Sequence, residues 1–371
     1  MAPEICMVSC RLLYLIGRLH TGGSERQLWY LVQAMDRERY KPAVAVWTHG
    51  QDDVYISHFR ALGVPLYTFS RNLSSIAKII MFRRLVKTLQ PEVVHSYSFY
   101  TNFAPYFAAW GTKIIPIGSI RSDFTYAKTE CGPVVGRLSG RWPSNQVTNS
   151  FTAAESVRVS HGIFIPRQLS VVRNGLDWTG FRSYPVPDTE PVCIAGIGYL
   201  LPVKRWERLL EALKELRKRN LNCMLRIAGD GPLRSALERK AEDLGVGDWV
   251  QFMGHVDDVS QLLAKAAVVV HTADSEGSPN SVIEAMACGR AVVATDAGDV
   301  PFLVDDGKTG FVVRRDDHAA LVDRIAQLIV NPKLCRSMGK AAREKVERDF
   351  GLERLVKETL FVYRAAGWRD S

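Results

Sequence analysis

At 371 residues the chain is longer than one hydrophobic core supports, because cores stop growing at about 250–300 residues, so two domains are expected. With 47% apolar and 23% charged residues and no low-complexity tract, its composition excludes a disordered chain. The net charge is +9, and all of it lies in the first half: 21 Lys and Arg stand against 11 Asp and Glu up to Pro185, and 27 against 28 after it.

A positive first half faces an anionic surface or acceptor, or else carries scattered solvated charge; both readings stay open. In chain order, the apolar start MAPEICMVSC carries Glu4, is closed by Arg11 and has no basic leader, so it does not read as a signal peptide. No run of about 18 apolar residues follows to cross a membrane. A cytoplasmic chain is expected, peripheral on the inner face of the membrane if it touches one. The seven cysteines, odd in number and without a CxxC pair, fit a reducing compartment and no zinc site.

The first strand, Leu12–Gly17, runs into the Gly-rich loop GRLHTGGSERQ, Gly17 to Gln27, which opens a helix over Glu25–Met35 as phosphate-cradling loops do. It has neither GxGxxG nor a P-loop pattern, which excludes both of those nucleotide sites. Strands Ala43–Thr48 and Pro65–Phe69 follow, then a helix over Ser74–Leu89. Its Ile76, Ile79, Ile80, Leu85, Val86 and Leu89 fall near one face, with Lys78, Arg83, Arg84 and Lys87 elsewhere. That is a plain amphipathic core helix, or one whose basic flank lies on anionic lipid headgroups.

Strand Val93–Tyr97 delivers His95 and Tyr97, strand Ile114–Ile120 is followed by Arg121, and Gln146–Thr148 completes the first set. A histidine at a strand end reads as a hydrogen-bonded core residue or as a catalyst, and residue type alone leaves both open. After the Pro-rich stretch Ser183–Pro191 the pattern restarts with Val192–Gly198, Met224–Ala228, Val250–Met253, Val268–His271 and Ala291–Thr295. Such alternation of short β-branched runs with helices marks βαβ units, so the class is α/β with two doubly wound Rossmann-like domains facing a cleft. The boundaries expected are 1–185 and 186–351, with the last helix, Leu352–Ala366 within 352–371, crossing back to the first domain.

The densest chemistry is SEGSPNSVIEAMACG, Ser275 to Gly289. Glu276 lies in a Gly/Ser/Pro loop after Val268–His271, and Glu284 in the first turns of a helix that starts near Ser281. Between them Pro279, Asn280, Ser281 and Val282 form a helix entry, whose backbone N–H groups and dipole favour a phosphate. Carboxylates accept hydroxyl donors in pairs, so two of them flanking a diphosphate suit a nucleotide-sugar. The plainer reading, capping by Asn280 or Ser281 with Glu284 near the dipole, accounts for half of the pattern.

This segment, with its continuation Ala285-Met-Ala-Cys-Gly-Arg-Ala-Val-Val-Ala-Thr295 and Gly298, resembles the large family 4 of retaining glycosyltransferases (glycosyl transferases group 1), which have the GT-B fold and an E-x7-E motif. The resemblance implies that Glu276 contacts donor sugar hydroxyls, Glu284 the ribose, and the Pro279–Val282 backbone the phosphates. In GIGYLLPVKRWERLLEAL, Gly196 to Leu213, Lys204 matches the family's diphosphate lysine, while Tyr199 stands at the usual arginine position. Either Arg205 helps Lys204 there or one charge is absent. Gly229 and Gly231 of RIAGDGPLRSALE match a turn lining the nucleotide pocket, with Pro232 presetting the helix start.

In the first half, Gly22 and Gly23 match a G-G-(A/S)-E loop that approaches donor phosphates and acceptor. His95 matches the first histidine of an H-x-H pair near the reacting centre, and Tyr97 replaces the second. Arg121 and RNGLD, Arg173 to Asp177, complete the resemblance. It therefore implies catalytic His95, Lys204 and Glu276, an acceptor side with Tyr97 and Arg121, an N-terminal acceptor-binding domain and a C-terminal donor-binding domain. The implied activity moves a hexosyl group from a UDP- or GDP-sugar to a hydroxyl of a carbohydrate or lipid-linked acceptor, with retention, in cell-surface polysaccharide or glycolipid synthesis. No cofactor, metal or nucleic acid is implied, and no metal-ligating DxD stands at a strand end. Two other readings stay open: a nucleotide-sugar epimerase of the same fold, and a catalytically degenerate scaffold that binds nucleotide or glycan.

Overall fold

The computed structural model describes residues 10–20, 22–50 and 53–370; nearly all of the apolar start, residues 1–9, and Thr21 of the Gly-rich loop lie outside the described residues. The strands are β1 (Leu12–Ile16), β2 (Pro42–Val46), β3 (Leu66–Thr68), β4 (Val93–Ser96), β5 (Ile115–Ile120), β6 (Asn145–Thr148) and β7 (Gln168–Val171), then β8 (Val192–Ile197), β9 (Cys223–Ala228), β10 (Val250–Gly254), β11 (Val268–His271), β12 (Ala291–Thr295) and β13 (Gly310–Val313). β1 to β7 form one sheet in the order β3-β2-β1-β4-β5-β6-β7, and β8 to β13 another in the order β10-β9-β8-β11-β12-β13.

Each pair of these strands is parallel. Central strands such as β1 (LLYLI) and β12 (AVVAT) are buried along their whole length, as helices on both faces of a parallel sheet require. In the second sheet, Leu209, Leu213 and Leu216 of helix Trp206–Lys218 join Leu225, Ile227, Val268 and Ile325 in one core. The two sheets reverse strand order at β1/β4 and at β8/β11. Open α/β sheets bind ligands beyond the carboxyl ends of the strands at such a switch point. Among the described residues no helix is long and apolar enough to cross a membrane.

The chain divides into two units: Met1–Gly175 together with Leu352–Ser371, and Leu176–Gly351. The first unit thus takes in the last helix, Leu352–Ala365. The boundary differs from the expected one. The chain passes from the first unit to the second at Gly175 rather than in the Pro-rich stretch. That stretch is held within the second unit, where the buried Arg290 guanidinium donates to the carbonyls of Tyr184 (3.0 Å) and Pro185 (3.2 Å).

Two strands, β7 and β13, are not among those expected from the sequence. Each is four residues long, and β7 is a half-exposed edge without an apolar run. The helix over Ser75–Leu89 also corrects an expectation. Its core face runs through Lys78, Phe82, Leu85, Val86 and Leu89, while Ile76 is 72% and Ile80 49% exposed. The physical reason is register: positions 78, 82, 85 and 89 lie on one helical stripe, and 76, 80, 84 and 87 on another. Lys78 buries its stem and donates from Nζ to Thr48 Oγ1 at 2.9 Å.

Candidate active site

The β8/β11 switch point brings two loops together. After β8, Gly198 leads through Tyr199 and Leu200 to a short turn, Pro202–Lys204, and then to Arg205, which takes a left-handed φ of 52° before helix Trp206–Lys218. After β11 comes Thr272 to Pro279. The loops are joined along their backbones: Asp274 N–H donates to Val203 O at 2.9 Å, and Thr272 Oγ1 donates to Lys204 O at 2.9 Å. Lys204 Nζ is thereby set against Glu276 Oε1 in an ion pair. His271 Nε2, at the end of β11, stands 3.2 Å from the same oxygen.

Burial pushes the Glu276 carboxyl up, but the Lys204 ammonium and then His271 outweigh it and hold the group at about 2, so the carboxylate stays charged. The Glu276 loop is fastened from behind. Arg208 Nη1 donates to Thr272 O (3.0 Å) and pairs with Asp274 Oδ1 (2.6 Å), while Arg315 Nη1 donates to Asp274 O (2.8 Å). Thr295 Oγ1 donates to Ala273 O (2.6 Å) and Asp299 N–H to Gly277 O (2.8 Å). A Cβ on Gly298 would come within 2.3 Å of Glu276 O, so glycine is needed for this closeness.

Helix Asn280–Ala287 leaves the same loop. Its N-cap position is Pro279, which makes no side-chain cap bond. Val282 and Glu284 are buried, and Glu284 lies midway along this helix rather than in its first turn, so the dipole does not account for it. Arg205 does not join the Lys204–Glu276 group: its guanidinium pairs with Glu207 and, at 3.0 Å, with Asp274. Tyr199 is exposed.

Gly229 and Gly231 lie against the Lys204 loop. At φ 142° a Cβ on Gly229 would fall 1.9 Å from Gly198 O, and one on Gly231 within 2.8 Å of Leu200 O. The turn therefore seats the loop that carries Lys204, with Leu200 N–H donating to Asp230 O at 2.9 Å.

The residues expected in the first unit divide differently. His95 is buried, with Nδ1 2.7 Å from the Tyr363 hydroxyl and Nε2 2.9 Å from Ser119 Oγ. Burial, then the Arg121 charge, keep its pKa well below 6.5. Both ring nitrogens are thus engaged by side chains of the first unit. Tyr97 is buried beside it, ring centroids 4.9 Å apart, and the Arg121 guanidinium covers the Tyr97 ring at 4.1 Å. Tyr97 is thus a core ring, and Arg121 its partly exposed lid.

Gly22 is the N-cap of helix Gly23–Ala34, and a Cβ there would meet Glu25 Oε2 at 2.2 Å. The space serves a pair that no sequence pattern marks: His20 Nδ1 lies 2.9 Å from the buried Glu25 carboxylate, which raises the imidazole pKa. His20 belongs to the loop after β1 and Glu25 to the first turn of the helix that loop opens, at the other switch point. Further along, Gln27 brackets the peptide of Gly175, donating to its carbonyl and accepting from its N–H, each at 2.8 Å. The Asn174–Gly175 turn of RNGLD is thereby tied to helix Gly23–Ala34.

Two family models cover most of the chain: Glycosyltransferase Family 4 over residues 21–178, and Glycosyl transferases group 1 over residues 179–345. The chain belongs to the family 4, group 1 glycosyltransferases. Among curated relatives, N-acetyl-alpha-D-glucosaminyl L-malate synthase of Bacillus anthracis is 29% identical over 49% of this chain and 47% of its own length. The putative glycosyltransferase EpsD of Bacillus subtilis is 33% identical over 44% of this chain and 42% of its own. The matches to these two span about half of their length.

A Campylobacter jejuni enzyme named as a GalNAc-alpha-(1->4)-GalNAc-alpha-(1->3)-diNAcBac-PP-undecaprenol alpha-1,4-N-acetyl-D-galactosaminyltransferase is 24% identical over 94% of this chain and 97% of its own. In fold the chain is similar to HepE of Anabaena in complex with UDP-glucose, with a TM-score of 0.83 at 18% identity over 96% of this chain and 99% of that one. The fold of this glycosyltransferase is therefore GT-B, built of two Rossmann-like units.

Proposed function

We propose that the chain transfers a hexosyl group from a UDP- or GDP-sugar to a hydroxyl of a carbohydrate or lipid-linked acceptor, with retention at the anomeric carbon, in cell-surface polysaccharide or glycolipid synthesis. The observation that carries this is the charged Lys204–Glu276 pair at the β8/β11 switch point, on the loop that leads into helix Asn280–Ala287. A cation and a carboxylate side by side fit the two unlike halves of a nucleotide-sugar.

In this reading Lys204 and the N–H groups of Asn280 and Ser281 at the helix entry take the diphosphate, Glu276 the sugar hydroxyls and Glu284 the ribose. The Gly22–Gly23 loop and Arg121 serve the acceptor. The anomeric C–O bond to phosphate breaks with its electron pair going to the diphosphate, whose charge Lys204 and the helix entry stabilise. The acceptor oxygen bonds the anomeric carbon on the same face, and its proton goes to the departing phosphate oxygen. With His95 closed in the core, no imidazole is assigned to that proton, and the scheme includes no metal.

Contact with an anionic membrane belongs to the same reading. Between Ala61 and Ser122 seven Lys and Arg stand against one acid, Glu92. Ile76, Ile80 and Trp110 are exposed on helix Ser75–Leu89 and beside it, Arg83 donating to the Trp110 carbonyl at 3.2 Å.

The test is a thermal-shift series with UDP, GDP and their sugars, followed by product analysis with and without glycan acceptors. A ligand at a hundredfold its Kd stabilises by about 2.7 kcal/mol, well within reach of the method. Binding together with acceptor-dependent sugar transfer is expected. An isomerised sugar from donor alone would point to the epimerase, and tight binding without any turnover to the scaffold.

A further inference from the structure

Glu276 meets two groups at one oxygen. Lys204 Nζ and His271 Nε2 both face Oε1, the latter at 3.2 Å. His271 is the last residue of β11, paired in register with Ala294 of β12, and is 6% exposed. Its Nε2 lies within reach of Oε1 but closes no hydrogen bond to it or to any other described residue. A buried ring nitrogen without a hydrogen bond, 3.2 Å from one carboxylate oxygen and on a backbone fixed by the sheet, is a polar group with a single acceptor at hand.

The two groups differ in what happens when a donor enters. Lys204 is the group that the diphosphate draws toward itself, and its flexible stem lets it go. His271 sits on a strand end and stays. The loop backbone is clamped at Thr272, Ala273, Asp274 and Gly277, so the freedom left to Glu276 is that of its side chain.

We propose that His271 is a positioning residue of the donor site: as the donor diphosphate takes Lys204, the His271 Nε2–H closes a hydrogen bond to Glu276 Oε1 and keeps that carboxylate in place, so that Oε2 faces the sugar hydroxyls. This rests on the reading of Glu276 as the sugar-binding carboxylate. His271 touches neither sugar nor phosphate, and acts through Glu276.

Calorimetric binding of UDP, UDP-glucose, GDP and GDP-mannose to the wild-type chain and to His271→Phe and His271→Gln tests it. A hydrogen bond to a charged group contributes about 1.5–3 kcal/mol. The Phe variant should therefore lose about tenfold or more of its affinity for the bound nucleotide-sugar, while the matching bare diphosphate stays within about twofold. The Gln variant, which keeps an N–H donor, should recover most of the loss. Should the Phe variant not fold, His271→Asn, too short to reach Oε1, carries the same comparison. An unchanged ratio of sugar-bearing to bare nucleotide affinity, or equal losses of both in all variants, overturns the proposal. A wild-type chain that binds none of the four nucleotides removes instead the reading on which it rests.

Discussion

Lys204 and Glu276 lie 72 residues apart in sequence, on loops after two strands that sit side by side, and meet in an ion pair whose members are 19% and 14% exposed. Each half of the pair is thereby occupied before any ligand arrives. Alanine at either position should cut transfer by orders of magnitude, measured as initial rates with a saturating donor. Glu276→Gln should do something further: with its carboxylate partner gone, Lys204 is free for phosphate. Affinity for bare UDP or GDP should rise in the same variant that loses transfer, and calorimetry on both reads this directly. Equal or weaker diphosphate binding would falsify the shared role of Lys204.

The Glu276 carboxyl, held at about 2 against an ordinary 4.5, gives a stability contribution with a defined pH range. Its folded pKa is the lower one, so the contribution is complete above 4.5 and disappears as pH falls toward 2. Denaturation midpoints of wild type and Glu276→Gln should differ by a constant amount from about pH 5 to 7 and converge below about 4. A difference that persists undiminished at about pH 3 argues against the pair as the source.

His95 should behave as a core residue. Its folded pKa lies below 6.5, so the stability it contributes is present above that value and declines as pH drops below it. Tyr363→Phe removes the hydroxyl on Nδ1 and should cost about 1–3 kcal/mol by urea unfolding, the penalty for an orphaned buried polar group. Diphosphate affinity should stay unchanged in that variant, since Tyr363 and His95 lie in the first unit and Lys204 in the second.

On the exposed stripe of helix Ser75–Leu89, replacing Ile76 and Ile80 by Ser should leave folding intact and weaken co-sedimentation with vesicles of anionic lipid. Replacing Arg84 and Lys87 by Gln should weaken it chiefly at low salt, because surface attraction is screened beyond about 10 Å at about 0.1 M ionic strength. Wild-type chain that stays in the supernatant at low salt ends the membrane proposal.

Gly229→Ala probes the seat of the Lys204 loop. A methyl group placed 1.9 Å from Gly198 O at φ 142° has to push the loop away. Destabilisation by more than the roughly 0.4–1 kcal/mol that a Gly-to-Ala change gains at a compatible site is expected, with weaker diphosphate binding, by paired unfolding and calorimetry.

Much of the fold is legible because buried parallel strands are written as apolar runs. LLYLI and AVVAT announce β1 and β12 in a way that QLSV does not announce the edge strand β7. Ile76 and Ile80 mislead because apolar character suggests burial, whereas the helix has only one stripe to give to the core. Lys204 and Glu276 are found by their place in a motif, yet no motif says that they touch. His271 hides as the final residue of a strand, and its one signal is a polar residue closing the run VVVH shortly before Glu276. The burial of His95 is hidden for the converse reason: its bonding partner Tyr363 lies 268 residues further on, beyond the reach of any local pattern.

The assignment of Leu352–Ser371 to the first unit also orders events in time. A ribosome adding about 5–20 residues per second needs on the order of tens of seconds to travel the 268 residues between His95 and Tyr363. During that interval the second unit emerges whole, while the first waits with an unsealed face beside Tyr14, Glu92 and the buried imidazole. A message cut short near its end would thus harm the half of the protein that was made first.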